Sequence, residues 1–133
     1  VKSIINRIIR DTKELKQFGV NSVGIMSNDP NEYEEDSFDN MKKMSLDHNF
    51  TFPYLIDETQ EIARAYGAVC TPDFFGYNDK LGLQYRGRLD ESRKESVDGA
   101  KRELFEAMKQ ISITGKGPDN QIPSMGCSIK WFE

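Results

Sequence analysis

Cys70, Thr71 and Pro72 are the residues of this sequence most suited to chemistry, because a thiol stands directly before a Thr-Pro dipeptide. Proline lacks an N–H, so a strand accepts it at its first residue and rarely in its middle. A Thr-Pro bond also adopts the cis form at a cost of about 1 kcal/mol or less. A cis bond would turn backbone groups of Thr71 outward, towards any thiol chemistry opposite them. The same residues fit a free cysteine ahead of an ordinary trans proline, and the local sequence leaves both readings open.

Cys127 is the second of the 2 cysteines and lies far from Cys70 along the chain. This spacing forms no zinc pattern, and a single histidine, His48, does not complete a metal site. Cys70 is either a reactive thiol beside the Thr-Pro turn or an inert packed side chain, and Cys127 is either a thiol on a mobile tail or a buried anchor for that tail. A disulfide between the two is a further alternative that only their geometry decides. Such cysteine usage is typical of a cytoplasmic protein with reduced thiols.

The charge balance and the hydrophobic pattern narrow the choice of partners. The 133 residues carry 18 Lys and Arg against 22 Asp and Glu. No basic stripe interrupts this mild acidity, so we expect no nucleic-acid partner. No apolar run approaches the roughly 18 residues that a membrane span needs, so we expect no membrane partner. The acidic stretch in residues 29–36 lacks the ligand spacing of a calcium loop and is read as a solvated loop.

The helices and strands that must position Cys70–Pro72 are predicted from the spacing of apolar residues and from the residues that begin or end each element. Apolar residues at helical spacing begin at once and end at Gly19. No capping residue precedes them, so we expect the chain to begin inside, or just at the front of, a helix. A buried strand over residues 20–27 and a helix from Asp36 or Ser37 to about His48 follow, with Phe38 and Met41 facing inward.

The second half of the chain shows equally clear signals. Residues 57–60 (DETQ) predict a capping box, with Asp57 at the cap and Gln60 three residues on, and the helix they open ends at Gly67. Residues 73–77 and 83–88 predict a hairpin. The last helix is expected to open at residues 92–96, with Val97 on its inner face. Residues 114–133 are rich in glycine, proline and polar residues.

Several segments together resemble the AhpC/TSA, peroxiredoxin-like branch of the thioredoxin fold. The segments that carry the likeness are residues 55–60 (LIDETQ), 66–75 (YGAVCTPDFF), 85–90 (YRGRLD) and 126–131 (GCSIKW). The resemblance implies an α/β, thioredoxin-like three-layer fold with a mixed sheet. It also implies that residues 1–113 form this domain, incomplete at its amino end, and that residues 114–133 form a C-terminal tail packing on it.

The resemblance also shows a departure from the family pattern. Relatives of this type usually carry a Cys-x-x-Cys segment just before their first long helix, and this sequence contains none. We expect the chain to begin a few residues after that motif, without the N-terminal strand or strands that precede it. That strand would lie between residues 20–27 and 73–77. Its absence would expose the edges of the neighbouring strands, and pairing of these edges between two copies would give a homodimer.

The function implied by the resemblance is thiol-based redox chemistry, either peroxide reduction or thiol–disulfide exchange. Thr71 and Pro72 would receive the substrate, and Cys70 and Cys127 would be auxiliary thiols. The implied partners are a thiol reductant or a disulfide-containing protein substrate, with no metal and no organic cofactor. Because the nucleophile is absent, we expect little or no turnover from the chain alone. The alternative is a non-catalytic module that binds an extended peptide at Thr71-Pro72 through backbone hydrogen bonds.

Overall fold

Helices and short strands alternate along the chain in the computed structural model, which describes residues 4–31, 33–93 and 95–132. This is the α/β class expected from the sequence. The elements are α1 (Ile5–Leu15), β1 (Gly24–Met26), α2 (Phe38–Asp47), β2 (Tyr54–Ile56), α3 (Glu61–Tyr66), β3 (Cys70–Thr71), β4 (Phe74–Tyr77), β5 (Leu83–Gly87), α4 (Glu103–Thr114) and β6 (Cys127–Ser128).

The first helix ends as its sequence predicts. A short 3₁₀ turn, Lys16–Phe18, follows α1, and Gly19 then adopts a left-handed conformation with φ of 76°. Glycine suits that conformation because it has no Cβ to clash with the following carbonyl. Ile5 and Leu15 on the inner face of α1 are buried. The predicted start of this helix falls partly on residues 1–3, which lie outside the described residues.

The strands form three separate ladders of two strands each. β1 and β2 are parallel, β4 and β5 are antiparallel, and β3 and β6 are antiparallel. The resemblance implies both kinds of pairing within one mixed sheet, whereas the structure has them in separate ladders. In the described part of the chain, no ladder joins β1 to β4. The predicted strands and hairpin are present, although each strand is shorter than its apolar run.

The hydrophobic core lies between α1, α4 and the β4–β5 hairpin. Alternation along the hairpin places Tyr85 and Gly76 inward, and Tyr85 is only 1 % exposed. Gly76 leaves the space that the Met108 side chain of α4 fills, since a Cβ built there would lie 2.2 Å from the Met108 sulfur. Within the described ranges, no helix combines the length and apolar character needed to cross a lipid bilayer.

Helix α2 begins as predicted, but one face assignment was wrong. The Ser37 hydroxyl accepts a hydrogen bond from the Asn40 N–H and so caps the helix. Met41 is buried, as expected. Phe38 was expected to face inward, yet it is 50 % exposed, with the Lys42 ammonium 5.4 Å from its ring centre. Phe38 is the first residue of α2, and it lies outside the surface that this helix covers.

Helix α4 begins later than the serine signals at residues 92–96 indicate. Gly99 adopts a left-handed conformation with φ of 76°, which a continuous helix does not allow. The chain instead turns so that the Leu104 N–H reaches the carbonyl oxygen of Leu89 at 3.1 Å, and α4 begins at Glu103. Val97, which was expected on the inner face, is therefore 60 % exposed in the preceding irregular segment.

The predicted capping box is wrong in one of its two members. Asp57 does cap α3, because its carboxylate accepts from the Ile62 N–H at 3.3 Å and the Ala63 N–H at 2.9 Å. The Gln60 side chain does not reach back to Asp57, although its backbone N–H donates to the Asp57 carbonyl oxygen at 3.2 Å. It has φ of 66°, is 1 % exposed and stands immediately before α3, which starts at Glu61. Its amide is used for long-range contacts that a local pattern does not reveal.

Ile111 and Ile113 give a matched test of where the core lies. Ile111 is 4 % exposed, whereas Ile113 on the same helix is 73 % exposed. We expect Ile111→Ala to lower the free energy of unfolding by about 2–5 kcal/mol, because it leaves a cavity in the core. Ile113→Ala should change it by less than about 0.5 kcal/mol. Urea titrations followed by circular dichroism measure both values, and equal losses would contradict this assignment of the core.

Candidate functional site

The Cys70–Pro72 segment consists of strand β3 and the proline that follows it, ahead of β4. The peptide bond between Thr71 and Pro72 is cis, which confirms the first of the two sequence readings. Pro72 precedes β4 and so removes no donor from the hairpin ladder. Thr71 ends β3 and is partly buried.

Strand β3 is paired with the C-terminal part of the chain. Cys70 stands opposite Ser128, and Thr71 stands opposite Cys127. The Ile129 N–H also donates to the carbonyl oxygen of Val69 at 3.2 Å. In an antiparallel ladder, pairs that exchange hydrogen bonds alternate with pairs that do not. The Thr71–Cys127 pair is therefore a hydrogen-bonding pair, and the backbone N–H and C=O of Thr71 face Cys127.

The two cysteines lie side by side on this ladder but face opposite ways. Successive residues of a strand point to opposite faces, so Cys127 shares a face with Thr71, whereas Cys70 shares the other face with Ser128. Both thiols are free, and Cys127 is exposed, so the reading of Cys127 as a buried anchor for the tail was wrong. The disulfide that the sequence left open is thus absent, and forming it would require one strand to turn over.

Cys70 is enclosed by backbone carbonyls. Its sulfur lies 3.7 Å from the carbonyl oxygens of both Pro72 and Ser124, so its single S–H is a weak donor that either oxygen can accept. Burial, and to a lesser extent the Asp73 carboxylate, raise the pKa of this thiol, while the Arg86 guanidinium acts in the opposite direction. A raised pKa means less thiolate at neutral pH, so this environment favours a packed role for Cys70 over a nucleophilic one.

A small pocket opens beside Cys70. Its volume is about 300 Å³, and it is lined by Val69, Cys70, Asp73, Arg86, Pro123 and Ser124. Arg86 is already engaged there, since its guanidinium donates to the Gly67 carbonyl oxygen at 2.7 Å and to Asp73 at 3.3 Å. The guanidinium also lies 5.0 Å from the ring centre of Phe75. The pocket is therefore closed on one side by an internal ion pair.

The C-terminal residues form a segment that we call the tail strap, residues 117–132, and its first part follows the outer edge of β5. The Gln121 amide donates to the carbonyl oxygen of Gln84 at 2.8 Å and accepts from the Arg86 N–H at 2.9 Å. The carbonyl oxygen of Ile122 accepts from the Arg88 N–H at 2.9 Å. These bonds satisfy backbone groups that a free edge strand would expose.

The last part of the tail strap is held by Gln60. The Gln60 amide donates to the carbonyl oxygens of Ser27 at 2.7 Å and Lys130 at 2.9 Å. Its oxygen accepts from the Phe132 N–H at 2.9 Å. Asn28 adds a bond from the Lys130 N–H at 2.9 Å. One buried side chain thus joins the end of β1, the start of α3 and the tail strap, a role that sequence reasoning missed because a capping box offered a nearer explanation.

The start of α1 is where the resemblance places a reactive thiol. Ile4 is the residue before the helix, and among the described residues no side chain caps this end. The first turn also carries no acidic residue. A helix start without carboxylates is electrostatically favourable to an anion. Neither Cys70 nor Cys127 belongs to this end of α1.

Other groups of potential ligands remain apart. In the described ranges, no three side chains of His, Cys, Asp or Glu converge so that they could hold a metal ion. The acidic loop makes bonds within itself and with its neighbours. Asp29 accepts from the Asn31 N–H at 2.9 Å, and Asp36 accepts from the Asn28 amide at 3.0 Å.

Comparisons with known proteins place this geometry in context. Residues 1–93 match the model of the AhpC/TSA family. The crystal structure of an uncharacterized conserved protein from Geobacillus kaustophilus is 43 % identical, with a TM-score of 0.89 over 99 % of this chain and 70 % of that chain. The crystal structure of a hypothetical protein from Sinorhizobium meliloti 1021 is 32 % identical, with a TM-score of 0.87 over 97 % of this chain and 71 % of that chain. No curated protein matches the chain.

Cys127 and Cys70 should react with iodoacetamide at different rates. Cys127 is exposed, whereas Cys70 is partly buried with a raised pKa. Because the thiolate is the reactive form, we expect alkylation of Cys127 to be at least about ten-fold faster at about pH 8. The rate at Cys70 should continue to rise at alkaline pH, where an ordinary thiol has already reached its plateau. Mass spectrometry of tryptic peptides measures both rates, and equal rates would refute the packed role of Cys70.

Proposed function

The chain belongs to the AhpC/TSA family, and from this we propose that it acts in thiol-based redox chemistry of the thioredoxin or peroxiredoxin type. The observation that carries the proposal is the family match over residues 1–93, which includes both α1 and the Cys70–Pro72 segment. The site then consists of a helix start suited to a thiolate and a backbone segment, Thr71-Pro72, that receives the substrate. A dithiol reductant would be the partner that restores the reduced form.

The proposed reaction with a hydroperoxide has two steps. A thiolate attacks the terminal oxygen of a hydroperoxide, the O–O bond breaks, and the alcohol or water leaves with one proton while the sulfur becomes a sulfenic acid. A second thiol then attacks that sulfur, forming a disulfide and releasing water. With a disulfide substrate, the thiolate instead attacks one sulfur atom, a mixed disulfide forms as the substrate S–S bond breaks, and the leaving thiolate takes up a proton. A dithiol supplies the two electrons that close either cycle.

We assign different roles to the two cysteines of this chain. Cys127 is exposed and stands opposite Thr71, so it is the auxiliary thiol better placed to resolve an oxidised sulfur at this site. Cys70 lies beside two carbonyl groups and its pKa is raised, so its role is to pack the tail strap against Pro72. Cys70 belongs to β3 and Cys127 to β6, so neither is part of α1, at whose start the attacking thiolate is proposed to stand.

The 133-residue chain should therefore show little turnover of hydrogen peroxide by itself. With dithiothreitol as reductant, we expect a rate of peroxide consumption within about two-fold of the protein-free reaction, because the thiol of raised pKa is mostly protonated. A ferric–xylenol orange assay follows the peroxide. Robust turnover that disappears in Cys70→Ser would overturn the assignment of Cys70, and robust turnover that disappears in Cys127→Ser would overturn the auxiliary role of Cys127.

A thiol placed at the start of α1 tests the proposed site directly. In a Cys70→Ser, Cys127→Ser background, we expect Ile4→Cys to have a pKa below its usual range, since the helix dipole stabilises a thiolate there. The matched control is Ile113→Cys in the last turn of α4, where the dipole has the opposite sign.

The measurement is oxidation of each thiol by hydrogen peroxide at about pH 7, with the thiolate followed by its ultraviolet absorbance. Oxidation should be about ten-fold faster for Ile4→Cys than for Ile113→Cys. Circular dichroism confirms that both variants keep the fold. Similar pKa values and similar rates for the two thiols would count against a redox site at this end of α1.

A further inference from the structure

The tail strap bears on the substrate class of the proposed redox site, and this inference rests on the proposed function. An extended peptide binds a protein strand by pairing with backbone N–H and C=O groups that are free at its edge. At Thr71 those groups face Cys127, because the Thr71–Cys127 pair is a hydrogen-bonding pair of the β3–β6 ladder. The Thr71 hydroxyl adds a bond to the carbonyl oxygen of Cys127 at 3.4 Å. The backbone of Thr71 is thus occupied by the chain itself.

Gly126 lets the tail strap lie close to the Thr71-Pro72 peptide. A Cβ built at Gly126 would lie 2.4 Å from the carbonyl oxygen of Thr71 and 3.7 Å from the backbone nitrogen of Pro72. Only a residue without a side chain lets the strap approach the Thr71-Pro72 peptide to this distance. The strap therefore covers the segment that would receive a peptide, at the point where the peptide would have to pair.

The strap is fixed on both sides of this contact. Upstream, the Ser124 hydroxyl donates to the carbonyl oxygen of Gly87 at 2.6 Å. Downstream, the buried Gln60 amide binds Lys130 and Phe132. A segment tethered at two ends competes with a free peptide at a high effective concentration, on the order of millimolar for short flexible tethers. A free peptide must displace it and lose that advantage.

We infer that strand β6 restricts the Thr71-Pro72 site to small substrates, such as a hydroperoxide or a low-molecular-weight disulfide, by occupying the backbone groups that an extended polypeptide would need. Small substrates require no strand pairing and can approach beside the strap. Extended protein segments cannot pair with Thr71 unless β6 leaves. Gly126 and Gln60 are then the residues that determine this specificity, Gly126 through close approach and Gln60 through anchorage.

Binding of a cysteine-free peptide to wild type and strap variants tests this inference. The probe is a fluorescein-labelled peptide of about nine alternating threonine and valine residues with a lysine at each end, followed by fluorescence anisotropy. Wild type should bind it with a Kd weaker than about 1 mM. Gly126→Ala, which forces the strap away from Thr71, should bind at least about ten-fold more tightly. The matched control is Met125→Ala, because Met125 is the adjacent strap residue and is 82 % exposed, and it should behave as wild type.

A second variant and a second measurement distinguish displacement of the tail strap from misfolding of the whole protein. Gln60→Gly removes the anchoring amide while suiting the left-handed backbone at φ of 66°, and it should show the same gain in peptide binding. Amide hydrogen exchange at Thr71 should be slow in wild type and about ten-fold faster in both variants. The folded state of each variant is verified by exchange at the core helix α4.

The outcomes separate this inference from the proposed function. Wild type binding the peptide as tightly as Gly126→Ala would overturn it. So would a variant whose Thr71 amide has lost protection yet binds the peptide no better than wild type. The peptide contains no thiol and the binding assay involves no oxidation. A negative result with Ile4→Cys therefore does not change the outcome of the peptide-binding assay, and a negative peptide-binding assay does not change the outcome with Ile4→Cys.

Discussion

The buried Gln60 amide is the interaction on which the arrangement of this protein depends. The three ladders of two strands are not joined into one sheet among the described residues, so contacts outside the ladders must fix their relative positions. Gln60 joins the end of β1 to the tail strap, and the strap in turn bonds to β3 and β5. A buried amide is stabilising only when its donors and acceptor are satisfied, and this one is bonded at both ends. Its left-handed backbone is the local cost of that role.

The two sides of the molecule are held together by different forces. Around α1, α4 and the hairpin, apolar side chains such as Leu15 and Ile111 are excluded from water and stabilise by burial. Charged pairs frame this core, with Arg7 bound to Asp90 at 2.9 Å. On the side of the Cys70–Pro72 segment, backbone and amide hydrogen bonds of the tail strap add to the packing of apolar side chains such as Ile129. Hydrogen bonds depend on direction, which suits a region that must present particular backbone groups.

That difference explains why the two cysteines are unequal although they lie on adjacent pairs of one ladder. Burial first, and the Asp73 carboxylate second, raise the pKa of the Cys70 thiol, whereas Cys127 faces the opposite way and is exposed. The same ladder that separates the thiols also occupies the backbone of Thr71. Redox accessibility and substrate size at the proposed site therefore have a common origin in the register of β3 with β6.

By itself, the sequence determined the features that depend on neighbouring residues. The left-handed turn at Gly19 that closes the first helical segment, the Ser37 cap and the β4–β5 hairpin were all predictable, because helix ends, caps and turns are set by local backbone preferences. Only the tertiary structure decided the start of α4, the use of Gln60, the opposite orientation of the thiols and the covering of Thr71. Each of these depends on partners distant in sequence, as when the Gln60 amide bonds to Lys130 rather than to its neighbours, and local propensity contains no information about such partners.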